Sequence, residues 1–179
     1  MIMPPPVRRL ALTVHVTTSV GWLGAVSVFV VLGVVGMVSQ DTDVVRAAYL
    51  IMEPTAWYAL VPLAFASLAS GLVQSLGTTW GLVRHYWVIF KLVINIGAVV
   101  VLLMYTQTLA GLADAATTPA FTPEALGPQR ASPTIHAVVA LLLLVLATIL
   151  AIYKPRGTTR FARRRQRSTP ADRPEPVRS

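Results

Sequence analysis

Long apolar runs separated by short polar breaks dominate this chain. Four of them, at 10–38, 55–76, 86–108 and 134–153, reach the length of about 20 helical residues that crosses the hydrocarbon core of a bilayer. None of the four holds an aspartate or glutamate. The pattern predicts an all-α protein, a four-transmembrane-helix bundle occupying residues 1–155. The first run is about twice as long as a signal-peptide core and is closed by no small-x-small cleavage site, so it reads as a span.

The punctuation agrees with these limits. Ser132 and Pro133 form an N-cap and a first-turn proline for the fourth span, and Pro155 stops it after Lys154. Gly77 ends the second span and Pro62 kinks it. The polar connector 41–52 has room for a short amphipathic helix at the surface. Residues 110–131, rich in Ala, Thr and Pro, read as a loop with no clear element. Residues 156–179 read as a disordered basic tail. There is no internal repeat and no separate soluble domain. Gly33 with Gly36, and Ser67 with Gly71, are small enough to let helices approach closely.

Composition supports a membrane protein: 55% of residues are hydrophobic and only 12% charged, against about 25% charged in soluble domains. The formal charge of +8 changes meaning once it is placed, because nine of the 15 Lys and Arg residues lie from Lys154 onward. A basic tail directly after an apolar helix is an anchor on an anionic lipid leaflet. No aromatic platform accompanies it, so nucleic acid is not an expected partner. With both termini inside, Arg8, Arg9, Arg84 and the tail are cytoplasmic, and only Arg46 and Arg130 are outside; the asymmetry predicts N-in/C-in. The absence of cysteine excludes disulfides, thiolate metal sites and cysteine nucleophiles. No paired carboxylates, nucleophile–base set or phosphate-cradling glycine loop points to hydrolysis, and no catalytic residue is assigned.

Few polar residues remain inside the spans. His15, Ser19 and Trp22 fall on one stripe of the first helix. Lys91 and Asn95 share a face of the third, with His85 at its boundary about 120° away from Lys91. The second span ends at the same level with Ser70 and Gln74, so His15, Gln74, Lys91 and Asn95 can form a cluster in the inner leaflet. Lys91 has two fates. Its stem can carry the ammonium back to the headgroups, or it points inward and needs an anion from outside the chain: a lipid phosphate, a substrate carboxylate or a haem propionate. At the opposite surface, His136 with Met37, Met52 and Met104 makes a soft donor set suited to Cu(I). Methionine also fills apolar gaps with no metal involved.

The stretch HVTTSVGWLG at 15–24 carries an H-x6-W-x-G pattern. It resembles small bacterial membrane proteins related to CopD-type copper-resistance proteins and HemJ-type protoporphyrinogen oxidases. WVIFKL at 87–92 is similar to the W-x-x-x-K-L of a HemJ helix, and ILAIYKP at 149–155 resembles that family's close. GLVQSLGTTWGLVRHYWVIFKL at 71–92 resembles a group of uncharacterised bacterial four-helix membrane proteins. The resemblance implies a multi-pass protein of the bacterial inner membrane. It also implies haem b, with His15 as an iron ligand and Lys91 beside a propionate; by helical position Trp22, His85, Asn95 and Gln74 would stand around such a group. The run AVSVFVVLGVVGM at 25–37 lacks that family's Tyr and Arg, and Ile89 stands where its lysine motif has a histidine.

Three readings follow. The leading one is a non-catalytic integral membrane bundle that binds lipid, a protein partner or a second copy of itself. The alternative is a haem b or porphyrin-binding membrane protein, an oxidoreductase if it is an enzyme. The third is copper handling at the outer face.

Overall fold

The computed structural model describes residues 3–77 and 86–153. His85, Arg84 and the basic tail lie outside them. The described chain forms α1 (Pro5–Val38), α2 (Thr42–Thr55), a π-helical turn (Ala56–Leu60), α3 (Val61–Gly77), α4 (Tyr86–Thr117), a 3-10 segment (Pro123–Ala131) and α5 (Ser132–Tyr153). Helix α2, the π turn and α3 run on as one helical stretch, so four helical units have the length and apolarity to cross a membrane. The molecule is an all-α four-helix bundle.

One connector forms the helix expected of it, and the other carries more helix than its composition announces. The segment 41–52 becomes α2, capped by Asp41, whose side chain accepts from the amides of Asp43 and Val44. Residues 110–131 were expected as a loop, yet α4 continues to Thr117 and a 3-10 segment follows. Alanine and threonine there are compatible with helix once Leu109, Leu112, Ala113 and Ala116 find a core to bury against. Gly127, at φ 50° in the 3-10 segment, supplies a left-handed turn that a side chain would strain.

Pro62 has the effect expected of it, in a specific form. It has no N–H to give the carbonyl four residues back, and its ring crowds that carbonyl. The helix answers with the π turn just ahead of it, where the Val61 amide bonds to the Ala56 carbonyl.

Helix α1 packs on α3 and α5, and α2 packs on α4. The best-filled core lies toward the interhelix-loop end, where Val45, Tyr49, Met52 and Leu109 are fully buried. Small residues set the close approaches. A Cβ on Gly33 would sit 2.9 Å from the Thr134 backbone nitrogen, one on Gly36 would sit 2.9 Å from the Tyr49 ring, and one on Gly71 would sit 3.1 Å from His15. The chain begins beside the end of α3: the Met3 amide bonds to the Gly77 carbonyl at 3.1 Å. The start of α1 and the end of α5 therefore lie at one end of an up-down-up-down bundle.

Candidate functional site

In the half of the bundle nearest the chain ends, α1 and α3 face each other through polar side chains in an antiparallel ladder. Residue numbers rise on one helix as they fall on the other. Gln74 Nε2 donates to the Ala11 carbonyl at 3.0 Å. His15 meets Ser70, and Ser19 Oγ lies 2.7 Å from Ser67 Oγ. Spacings of four along α1 and of three and four along α3 keep these residues on one face. Gly71, with no side chain, makes room for the imidazole.

The hydrogen bonds fix the state of His15. Its Nδ1 lies 3.2 Å from the Ser67 carbonyl, which can only accept, so Nδ1 carries the proton. Ser70 gives its own proton to the Ala66 carbonyl at 2.6 Å and stands 3.1 Å from the same Nδ1 as a second acceptor. The other nitrogen, Nε2, then presents a lone pair, and Lys91 Nζ donates to it across 3.2 Å. Lys91 thus turns inward from α4 to α1. It is half-buried, and His15 is its hydrogen-bond partner among the described residues. An ammonium has three donors, so two remain after His15 is served.

Those donors border a cavity of about 40 Å³ lined by Ser19, Trp22, Ser67, Lys91, Asn95 and Thr148 among others. Asn95 is buried and anchored by donation from Nδ2 to the Lys91 carbonyl at 2.7 Å. Thr148 gives its hydroxyl proton to the Leu144 carbonyl at 2.9 Å. The volume is enough for a few water-sized groups. Trp22, buried, is a wall of this cavity and also of a second, apolar one of about 270 Å³ between α1, α4 and α5.

The inner cluster read from the sequence thus comes together as His15, Lys91 and Asn95, with Trp22 beside them. Gln74 lies one turn nearer the chain end, tied to α1. His85 lies outside the described residues. The sequence reading missed Ser67 as the group that orients His15, and missed Thr148 altogether. Lone hydroxyls in an apolar helix are common, and their partners depend on how the helices are rotated.

This arrangement leaves no nitrogen of His15 free to ligate iron. Both nitrogens of His15 are engaged, Nδ1 by α3 and Nε2 by Lys91. The adjoining polar cavity is far smaller than a porphyrin.

At the opposite end of the bundle, His136 stacks on Tyr105 with ring centroids 4.1 Å apart, and its Nδ1 lies 2.9 Å from the Ser132 carbonyl. Tyr105 Oη lies 3.0 Å from Ser132 Oγ. Of the three methionines, Met52 is fully buried while Met104 is 70% exposed. Met37 is on the surface near the end of α1. No three His, Cys, Asp or Glu side chains gather as a metal set among the described residues.

No protein-family model, curated protein or solved structure matches this chain.

Proposed function

We propose that this integral membrane protein is a non-catalytic bundle that holds the anionic head of a membrane lipid on Lys91. The observation that carries the reading is Lys91 turned into the bundle toward a neutral imidazole, in spans that contain no carboxylate. An ammonium inside the membrane costs a few kcal/mol unless an anion or water answers it. His15 accepts one of its protons and contributes no charge. The counter-charge therefore comes from outside the chain, and lipid is the anion source available at that depth. With the chain ends cytoplasmic, as the basic residues direct, the site lies in the inner leaflet, where anionic lipids concentrate.

His15 in this reading is a positioning residue. It is locked by Ser67 and Ser70 and aims the ammonium at the cavity.

The test is native mass spectrometry of the purified protein in mild detergent. Phosphatidylglycerol and oleate are titrated separately against phosphatidylcholine. We expect at least one anion to bind about tenfold more tightly than the zwitterion, a difference of about 1.4 kcal/mol. Lys91→Met removes that preference and Lys91→Arg keeps most of it. Equal binding of anionic and zwitterionic lipids, or a preference that survives in Lys91→Met, overturns the proposal.

A further inference from the structure

We infer that the lipid is a single-chain carboxylate of the fatty-acid class, its head at Lys91 and its chain in the apolar cavity beyond Trp22. This rests on the reading of Lys91 given above and adds the shape of the ligand.

The head cavity sets the first limit. About 40 Å³ bordered by Lys91, Ser19, Ser67 and Asn95 accepts the two oxygens of a carboxylate. Room for a few water-sized groups suits a carboxylate better than a phosphodiester with its glycerol. A carboxylate accepts at both oxygens, which matches the two donors left on Lys91 and the one hydroxyl proton left over in the Ser19–Ser67 pair.

The chain cavity sets the second. Its volume is about 270 Å³ and its lining is almost wholly apolar, with Val26, Phe29, Ala98, Leu102, Ala137 and Ala140 among its walls. Along α4 it runs from Gly97 to Leu109, a rise of about 18 Å at 1.5 Å per residue. One leaflet of hydrocarbon is about 15 Å deep, half of the 30 Å core. The cavity is about as long as one leaflet is deep, and it begins six residues, about 9 Å, beyond Lys91, so a chain anchored there fills its nearer part. Small residues on the facing helices, Gly97 and Ala98 on α4 and Ala137 and Ala140 on α5, hold it open. Val101, Ile135 and Val139 line it and are also exposed on the outer surface of the bundle, so the cavity opens sideways toward lipid between α4 and α5. A fatty acid already dissolved in the membrane reaches it without crossing water. Trp22 borders both cavities, and the first carbons of the chain run past its indole.

The probe is a fatty acid carrying a mid-chain photoreactive diazirine, added to the full-length protein in detergent and mapped by peptide mass spectrometry. Two further arms use its methyl ester, and a phosphatidic acid esterified with the same chain. We expect the acid to label the cavity walls around Val26 to Phe29, Gly97 to Leu102 and Ala137 to Ala140. The ester and the phosphatidic acid should label them about tenfold less, equivalent to about 1.4 kcal/mol. Stronger labelling by the phosphatidic acid overturns the carboxylate assignment. Acid that binds through Lys91 but labels other surfaces overturns the chain placement and leaves the Lys91 reading standing. Ester that labels as well as acid, in wild type and in Lys91→Met alike, brings down the Lys91 reading itself.

Gly97→Phe gives an independent check. A Cβ there meets nothing within 4 Å, and a ring built on it is placed at the wall of the cavity that Gly97 lines. We expect labelling by the acid to fall about tenfold with the thermal midpoint unchanged. Undiminished labelling in a folded Gly97→Phe protein overturns the inference.

Discussion

Lys91 and His15 form a pair in which one partner supplies charge and the other direction. The imidazole is held from behind by a backbone carbonyl and a serine, so its lone pair has a single orientation. This asymmetry predicts different costs for removing each member. His15→Ala leaves the ammonium without its acceptor and should destabilise by about 2 kcal/mol, the penalty of an orphaned buried polar group. Lys91→Met replaces a half-buried ammonium with an apolar side chain of similar length and should be neutral or stabilising. Made together, the two changes should cost less than the sum of the single effects. Thermal unfolding of the four proteins in one detergent checks this; additive losses would mean that the two side chains do not act as a pair. At this scale much was legible. The helical stripes already placed His15 with Trp22, and Lys91 with Asn95. The role of Ser67 was hidden, because the π turn before Pro62 changes the rotation of α3 relative to α2, and a helical wheel drawn through that point loses phase.

The helices are fastened at the loop end by arginines that a charge count would have treated as surface groups. Arg130 Nε donates to the Gly36 carbonyl at 2.7 Å and its Nη2 to the Ser39 carbonyl, where α1 ends. Arg46 donates to the carbonyls of Ala116 and Thr118 at the end of α4, and lies over the Phe121 ring at 5.2 Å. Both serve carbonyls left over at a helix C-terminus. Arg130→Ala should therefore cost about 2 kcal/mol, the usual loss for hydrogen bonds to a charged group. A thermal midpoint equal to wild type would show that these contacts contribute nothing. Gly33→Leu should be as damaging for another reason. The neighbour its Cβ would strike is the backbone of Thr134, which cannot swing aside as a side chain would. The spans themselves were legible from hydropathy. The helix in the 41–52 connector was legible as well, whereas the helical end of α4 was not, since it gains its stability from burying Leu109 and Leu112 in a tertiary core.

For the whole molecule, four helical units put the start of α1 and the end of α5 on one side, and the distribution of Lys and Arg predicts that this side is cytoplasmic. The natural absence of cysteine makes this easy to check with single substitutions. In intact cells a membrane-impermeant thiol reagent should label Glu124→Cys and spare Ser179→Cys, and the reverse pattern would invert the molecule. Such an inversion would also move the Lys91 cavity to the outer leaflet.

The central claim is that Lys91 holds a lipid anion in the cell as well as in the test tube. The most direct measurement is to purify the wild type and Lys91→Met side by side from native membranes. After matched detergent washing, anionic lipid and free fatty acid are extracted and counted per protein chain. The account predicts close to one anionic lipid per chain in the wild type, and its loss in Lys91→Met with the thermal midpoint preserved. The same anion content in both proteins would contradict it.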